Sequence, residues 1–463
     1  MTRTETTCSP GVLELQDVAP SSPWETIRRG ARMISPKVGI IRHLGHGLYH
    51  AQDPVTFALG VAATDLSRIN GIVNSPKGGG GGEQLAGAVA ATIGEAAERY
   101  CMLFYDKGEM VYAPWREVAD DAPTPEMLRL YSREQVEREP PGSRMRFFDE
   151  DARVYWTWGT SLTSGKPRLV PAGLVYMGYS WDDDEAAVGR NASSGLAAGL
   201  TIEEAILTAL YELVERDAFT IRWLNRMPGR RLEIDDPELR EDLDTRFHAS
   251  HPRVDIRLYD LTLDVPVPTA FMIMRRPAEF GPSLSLGAST RGTMREAVVK
   301  AMREAGQALP YYRFLLQQLG SWEPRDDFTD LTTFDHHCIL YQRRPDLVPA
   351  AIRPWDEVEE TVPLSAVPRA STGSVLGDIR ALVEHLAAVG LEVIVCEVTT
   401  PDVAEVGLRV VRVVVPGLVP MHGNHNYPFL GVRRLYDVPA KLGWERYGWD
   451  PAAPLNPMPH PFP

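Results

Sequence analysis

Two stretches of the chain place glutamates three residues apart with an arginine directly behind: Glu95, Glu98, Arg99 and Glu212, Glu215, Arg216. Positions i and i+3 share a helix face, so each pair holds two carboxylates side by side. Carboxylates held that way repel unless solvent or a cation lies between them. One such pair by itself reads first as a solvated helix face, and only second as half of a cation site. A second pair shifts the balance toward the cation site. Glu204 lies eleven residues before Glu215, about 20° away on a helical wheel, and Glu212 about 80° from Glu204. These three therefore share a side of one helix, although Glu204 is also spaced to cap it with Thr201. A third stretch puts Lys300, Glu304 and Gln307 on one face. Magnesium suits such carboxylates, because it prefers oxygen ligands and keeps positions for water and substrate phosphates. With phosphate present, the adjacent arginines are natural oxyanion partners.

Other segments carry chemistry less specifically. Lys77, one of six lysines, precedes the glycine run Gly78 to Gly82. That run is either a flexible linker or a loop whose backbone amides approach phosphate closely; it lacks the G-x-x-x-x-G-K-[ST] pattern. Ser193, Ser194 and Gly195 to Gly199 form a similar close-approach turn. His336, His337 and Cys338 cluster, and His422 and His425 form H-x-x-H; these read as structural or substrate-side groups rather than metal ligands. The end of the chain alternates prolines: Pro457, Pro459, Pro461 and Pro463 around Met458, His460 and Phe462. Such a segment has few backbone donors and favours an extended, polyproline-like path. By itself it is consistent with a disordered end or with a ligand for a partner's groove.

The elements that must position these groups follow from periodicity. Apolar spacing predicts helices over about 83–103 and 202–224, and a third opened by a Thr293–Glu296 capping box and stopped by Pro310. A Thr201–Glu204 capping box opens the second. Strands are predicted near 38–63 (with a turn at 50–54), 254–261, 267–274, 284–288, 392–398 and 409–415, and a helix near 375–389. Residues 1 to about 24 read as mobile, and 321–372 as a long acidic excursion. The net charge of −14 argues against a general nucleic-acid binder. No apolar run is long enough for a membrane span and the N-terminus has no signal-peptide pattern, so a cytoplasmic location is expected. Cys8, Cys101, Cys338 and Cys396 are too dispersed for a disulfide framework or a structural zinc site.

Taken together, Lys77 with its glycines, "GEAAERY" at 94–100, "SSGLAAG" at 193–199, "EEAILTALYELVERDA" at 203–218, "KAMREAGQ" at 300–307, "VVRVVVPGL" at 410–418 and the "NPMPHPFP" end resemble the YcaO family. Within it the closest resemblance is to the azoline-forming cyclodehydratases of ribosomally made peptide natural products. The resemblance covers roughly residues 35–463. It implies a mixed α/β (α+β) fold with sheets packed on long glutamate-bearing helices, an N-terminal extension (1–34), a catalytic domain (35–450) and a proline-rich tail (451–463) reaching the active site. It implies ATP and Mg2+, with Glu95, Glu98, Glu212 and Glu215 metal-linked, and Lys77, Arg99, Ser194, Glu204, Arg216 and Gln307 on the nucleotide. Pro459, Pro461 and Pro463 would order the peptide side, with the Pro463 carboxylate a candidate base. The implied reaction converts Cys, Ser or Thr of a precursor peptide to azolines. Branches of the family that make thioamides or amidines, and a non-catalytic peptide-presenting scaffold, are the alternatives. The resemblance further implies a homodimer and, since only about 60 residues precede the first motif, a separate E1-like leader-peptide-binding partner; a flavin-dependent azoline dehydrogenase would act afterwards. The sequence departs from the family pattern at Ala91, Ser194 and Leu309, which bears on individual nucleotide contacts.

Overall fold

The computed structural model describes residues 13–67, 77–140, 142–189 and 193–462. Three sheets form among them, all antiparallel except for one pair. The first runs β1 (Ile41–His46), β2 (Phe57–Ala63), β3 (Lys77–Gly82). The second contains β4 (Val111–Pro114), β5 (Arg153–Ser161), β6 (Pro167–Pro171), β7 (Leu196–Gly199), β13 (Ile394–Glu397) and β14 (Arg409–Val414), in the order β4-β5-β13-β14-β7 with β6 also paired to β5. The third contains β8 (Arg230–Glu233), β9 (Asp255–Asp260), β10 (Thr269–Arg275), β11 (Leu284–Thr290) and β12 (Thr361–Pro363), in the order β11-β10-β9-β8-β12. The β8–β12 pair is the parallel one. Three long helices pack between and beside these sheets: α1 (Leu85–Cys101), α2 (Ile202–Leu224) and α3 (Met294–Gln318).

Strand alternation explains the layering. On β14, Val410 faces the cluster containing Ile93, Ala96 and Ala97 of α1. Its neighbours Val411 and Val413 face Ala205, Ile206 and Leu210 of α2. On β10, Phe271 and Ile273 pack with Phe219 and Trp223 of α2, while Ala270, Met272 and Met274 pack with Ala297, Ala301 and Ala305 of α3. The order is thus α1, sheet, α2, sheet, α3. Both outer helices also touch β2 and β3, so the small first sheet draws them together. The mixed α/β expectation is met. Among the described residues no helix is long and apolar enough to cross a membrane, and Cys101, Cys338 and Cys396 are free and buried.

Four local expectations are revised. The glycine run is a strand, not a loop: Gly78 to Gly82 pair with β2 from Val61 to Phe57. Its lack of side chains is a packing requirement. A Cβ on Gly80 would lie 2.4 Å from the Thr92 nitrogen and 2.8 Å from the Ala91 carbonyl carbon, both helix backbone. Gly60, across the same sheet, has open space around its Cβ position. Gly80→Ala should therefore lose about 2–3 kcal/mol or more, and Gly60→Ala within about 0.5 kcal/mol of nothing, as read from denaturant midpoints. Second, Pro310 does not end α3. Residue 310 has no N–H to give the Gly306 carbonyl, but buried Tyr312 and Leu315, the Tyr311–Asp335 hydrogen bond of 2.7 Å and the Arg313–Asp53 ion pair of 2.5 Å hold the helix on its course. Third, the part of the N-terminus that is described is anchored, with Leu13, Leu15 and Val18 packed against the α2 cluster. Fourth, the 321–372 excursion is not structureless: it contains α4 (Phe334–Arg343) and a second helix over Val348–Asp356.

Candidate functional site

The carboxylates converge where α1 and α2 meet β7. Glu98 accepts a hydrogen bond of 2.8 Å from the Ala198 N–H of β7. Glu95 is paired with Arg99 one turn on, at 2.7 Å, and the β3 backbone abuts it, a Cβ on Gly78 falling 2.6 Å from Glu95 Cγ. On α2, Arg216 lies 3.9 Å from Glu212 and 3.5 Å from Glu215. From α3, Glu304 is ion-paired with Lys300. The tight turn that feeds β7 needs Gly195: its φ is +84°, and its Cβ position would be 2.4 Å from the Val413 carbonyl oxygen.

The electrostatics are those of carboxylates crowded out of water. Burial raises Glu98 well above the ordinary carboxylate range, and the neighbouring Glu95 adds to it. Burial raises Glu212, with Arg216 opposing and Glu95 reinforcing. Burial pushes Glu215 up to about 7, again with Arg216 opposing and Glu304 reinforcing. Glu304 goes the other way: burial would raise it, but Lys300 and Arg216 together leave it lowered. Two cations that the sequence reading did not assign join the group. Arg412 of β14, brought down to about 10 by burial, feels Glu212. Arg291, also lowered by burial, feels Glu215 and Glu304. Arg412 lies inside "VVRVVVPGL", where a charged residue in an otherwise apolar strand was the available signal. Nothing in the pattern around Arg291 marked it.

The donor chemistry fits Mg2+. Five glutamates supply hard oxygens, and Glu95 and Glu212 keep 25% and 27% of their side chains accessible, so an ion can reach them. They do not form a ready-made cage: among the described residues no trio of His, Cys, Asp or Glu is disposed to hold a metal ion. Arg99, Arg216 and the Ala198 N–H occupy lone pairs that a cation would take. That is the arrangement expected where phosphate oxygens and water complete the coordination of Mg2+.

The nucleotide-side residues divide. Arg99 and Arg216 lie within the carboxylate group. Gln307 packs on β3, its Oε1 2.2 Å from where a Gly81 Cβ would be. Ser194 is buried in the turn before β7. Lys77 begins β3, and its side chain lies outside what is described. Glu204 stands apart, about 12 Å along α2 from Glu212. Thr201 caps the helix by accepting from the Glu204 N–H, but the Glu204 carboxylate accepts from Ser21 instead, at 2.6 Å from its N–H and 2.8 Å from its hydroxyl. The capping box is therefore only half made, because the N-terminal segment takes its acid.

The proline-alternating tail runs inward. Asn456 N–H donates to the Leu224 carbonyl at the end of α2, 2.7 Å. His460 and Phe462 are each 2% exposed. The Phe462 ring sits 4.4 Å from Phe219 and 5.8 Å from the Arg216 guanidinium. Pro459 and Pro461 are buried with it; Pro463 lies outside the described residues. The histidines read as two separate groups in the sequence are one: His337, His422 and His425 surround His460.

Comparison with known proteins places this arrangement. The family described as YcaO cyclodehydratase, ATP- and Mg2+-binding, matches residues 79–419. An uncharacterised protein of Methanothermobacter thermautotrophicus is 28% identical over 339 residues, 68% of this chain and 82% of that one. A heterocyclase solved in complex with substrate and cofactor is similar with a TM-score of 0.76 and 25% identity, over 98% of this chain and 59% of that one. The heterocyclase TruD gives 0.68 and 26%, over 98% and 56%. This chain thus spans a little over half the length of these two heterocyclases. YcaO from Methanopyrus kandleri, bound with AMPPCP and Mg2+, shares the fold with a TM-score of 0.59 at 23% identity, over 86% of this chain and 91% of that one. With the family matched across most of its length, the chain belongs to the YcaO family.

Proposed function

We propose that the protein is an ATP- and Mg2+-dependent cyclodehydratase that converts Cys, Ser or Thr residues of a precursor peptide to azolines. The supporting observation is the tail: Phe462 rests against Arg216, between Glu212 and Glu215 and the interior path of the proline segment. In this reading a metal–nucleotide site and a peptide-ordering segment share one wall.

In this reading the side chain of the peptide residue adds to the preceding amide carbonyl, forming the ring C–S or C–O bond. The resulting oxyanion takes the γ-phosphoryl group of ATP, releasing ADP. Phosphate then leaves as the amide nitrogen forms the C=N bond and gives up its proton. The amide oxygen, a poor leaving group in water, thereby departs on phosphorus. Mg2+ held among Glu95, Glu98, Glu212 and Glu215 would supply charge neutralisation at the transferring phosphoryl group. Arg99 and Arg216 are placed to pair with phosphate oxygens as they loosen from the glutamates. In this reading Lys77, Ser194 and Gln307 would serve the same nucleotide, and Glu204 would become available only when Ser21 withdraws. Pro459 and Pro461 hold the peptide side, with the Pro463 carboxylate accepting the nucleophile's proton. A leader-peptide-binding partner presents the precursor.

The test is mass spectrometry of a candidate precursor incubated with the protein, a leader-binding partner, ATP and Mg2+. Loss of one water per ring, coupled to ATP hydrolysis, is expected. Exchange of oxygen for sulfur would identify a thioamide former, and unchanged peptide without ATP turnover a scaffold; either result overturns the azoline reading.

A further inference from the structure

The proline-alternating tail cannot be held as a strand, because Pro457, Pro459 and Pro461 have no N–H to donate. The structure holds it by its carbonyls instead. The His425 ring bonds to the backbone of Pro457. Trp223 Nε1–H donates to the Met458 carbonyl at 3.0 Å, Tyr341 hydroxyl to Pro459 at 2.5 Å, and His337 Nδ1–H to His460 at 2.9 Å. Four consecutive carbonyls are thus taken by four ring donors from α2, α4 and the 419–432 segment.

His460 completes the arrangement from within the tail. Its Nε2–H donates to the His422 carbonyl at 2.7 Å. Its Nδ1 accepts the Phe462 N–H at 3.4 Å. With one nitrogen facing an acceptor and the other a donor, the ring fits as the neutral Nε2–H tautomer and in no other state. Its plane stacks on His337, with centroids 4.0 Å apart. A proton added at Nδ1 would face the Phe462 N–H, donor against donor, in a bond that helps to fix the residue lying on Arg216. No trio of these imidazoles is disposed as a metal site.

We propose that His460 is a positioning residue: as a neutral imidazole it latches the last residues of the tail so that Phe462 is held on Arg216. This rests on the peptide-ordering role given to the tail above. Release of the latch admits a proton, while the latched ring excludes one. Burial lowers His460, and the titratable groups bearing on it are imidazoles, His337, His422 and His425, each of which opposes a positive charge there. His337 itself faces His336, His422 and His425. The sign follows: an exposed histidine titrates near 6.5, so the latch is fully formed above that pH and weakens as pH falls through it, by about tenfold per pH unit.

Hydrogen exchange of the Phe462 amide, corrected for its intrinsic pH dependence, reads the latch without any turnover. Its protection factor should be constant above about pH 6.5 and fall about tenfold per unit below. His460→Asn places an amide oxygen where Nδ1 was and cannot titrate; its protection should not decline with acid. A decline that persists in His460→Asn assigns the titration to another ring, and flat protection in the wild type removes the switch; either overturns the proposal. In turnover, His460→Gln keeps a donor for His422 but loses the acceptor for Phe462. It should lower kcat for ring formation at least tenfold with KM for ATP unchanged, while His460→Asn recovers most of the rate. Equal rates in wild type and His460→Gln would also sink it. If no ring product forms with the wild type while the exchange data behave as described, the cyclodehydratase reading fails and the latch stands.

Discussion

Glu215→Gln should lower ring formation and peptide-dependent ATP hydrolysis by about two to three orders of magnitude, the scale of removing one preorganised group that meets developing charge, and should make the protein more stable. The two effects have one cause. Glu215 is 2% exposed, and burial with Glu304 nearby raises its pKa from 4.5 to about 7. A carboxyl raised in the folded state costs stability as pH climbs through that interval, because the unfolded chain ionises first. Well above pH 7 the full penalty applies, on the order of 3 kcal/mol. Glutamine removes the charge and keeps the shape. Denaturant unfolding at pH 8 should show the variant more stable, and at pH 4 indistinguishable. ATP with Mg2+ should stabilise the wild type and not the variant. A variant that loses both activity and stability would mean that Glu215 is a packing residue.

Phe462→Ala should cost about 3–5 kcal/mol of unfolding free energy, the usual range for emptying a buried aromatic site. The ring lies among Phe219, Phe271 and the Arg216 guanidinium, inside a hydrophobic core cluster that also holds Tyr259 and Trp355. With His460 and Phe462 buried, deletion of Met458 to Pro463 should damage folding as well as cyclisation. A cleaner separation is Phe462→Leu, which refills much of the volume but not the face presented to Arg216. Urea titration should show most of the stability restored, while the rate of ring formation stays low. Full recovery of both would reduce Phe462 to a space filler.

The parts of the site that sequence displayed were those set by local spacing. Paired glutamates at i and i+3 had to share a helix face, and the helices form where apolar periodicity placed them. Gly195 at a turn and valine-rich β14 were similarly legible. What escaped was set by contacts between distant segments. Pro310 looked like a terminator because its missing N–H is a local fact, whereas the packing of Tyr312 and Leu315 that carries the helix past it is not. Glu204 looked like the acid of a complete capping box because nothing in its neighbourhood announces Ser21. His337, His422, His425 and His460 lay in separate stretches, and only the inward path of the tail made them neighbours. Arg291 carries no pattern of its own.

β14 has a consequence for how the molecule can be divided. Val410 turns to the helix bearing Glu95 and Glu98, and Val411 and Val413 to the helix bearing Glu212 and Glu215. One strand is the common wall of both halves, and it arrives after both helices in the chain. Neither half has a complete floor until residues 409–414 are in place. Truncated or proteolysed pieces that end before them carry Glu95, Glu98, Glu212 and Glu215 yet cannot hold one pair in register with the other, and recombining genes between the two helices would break a unit rather than exchange a module.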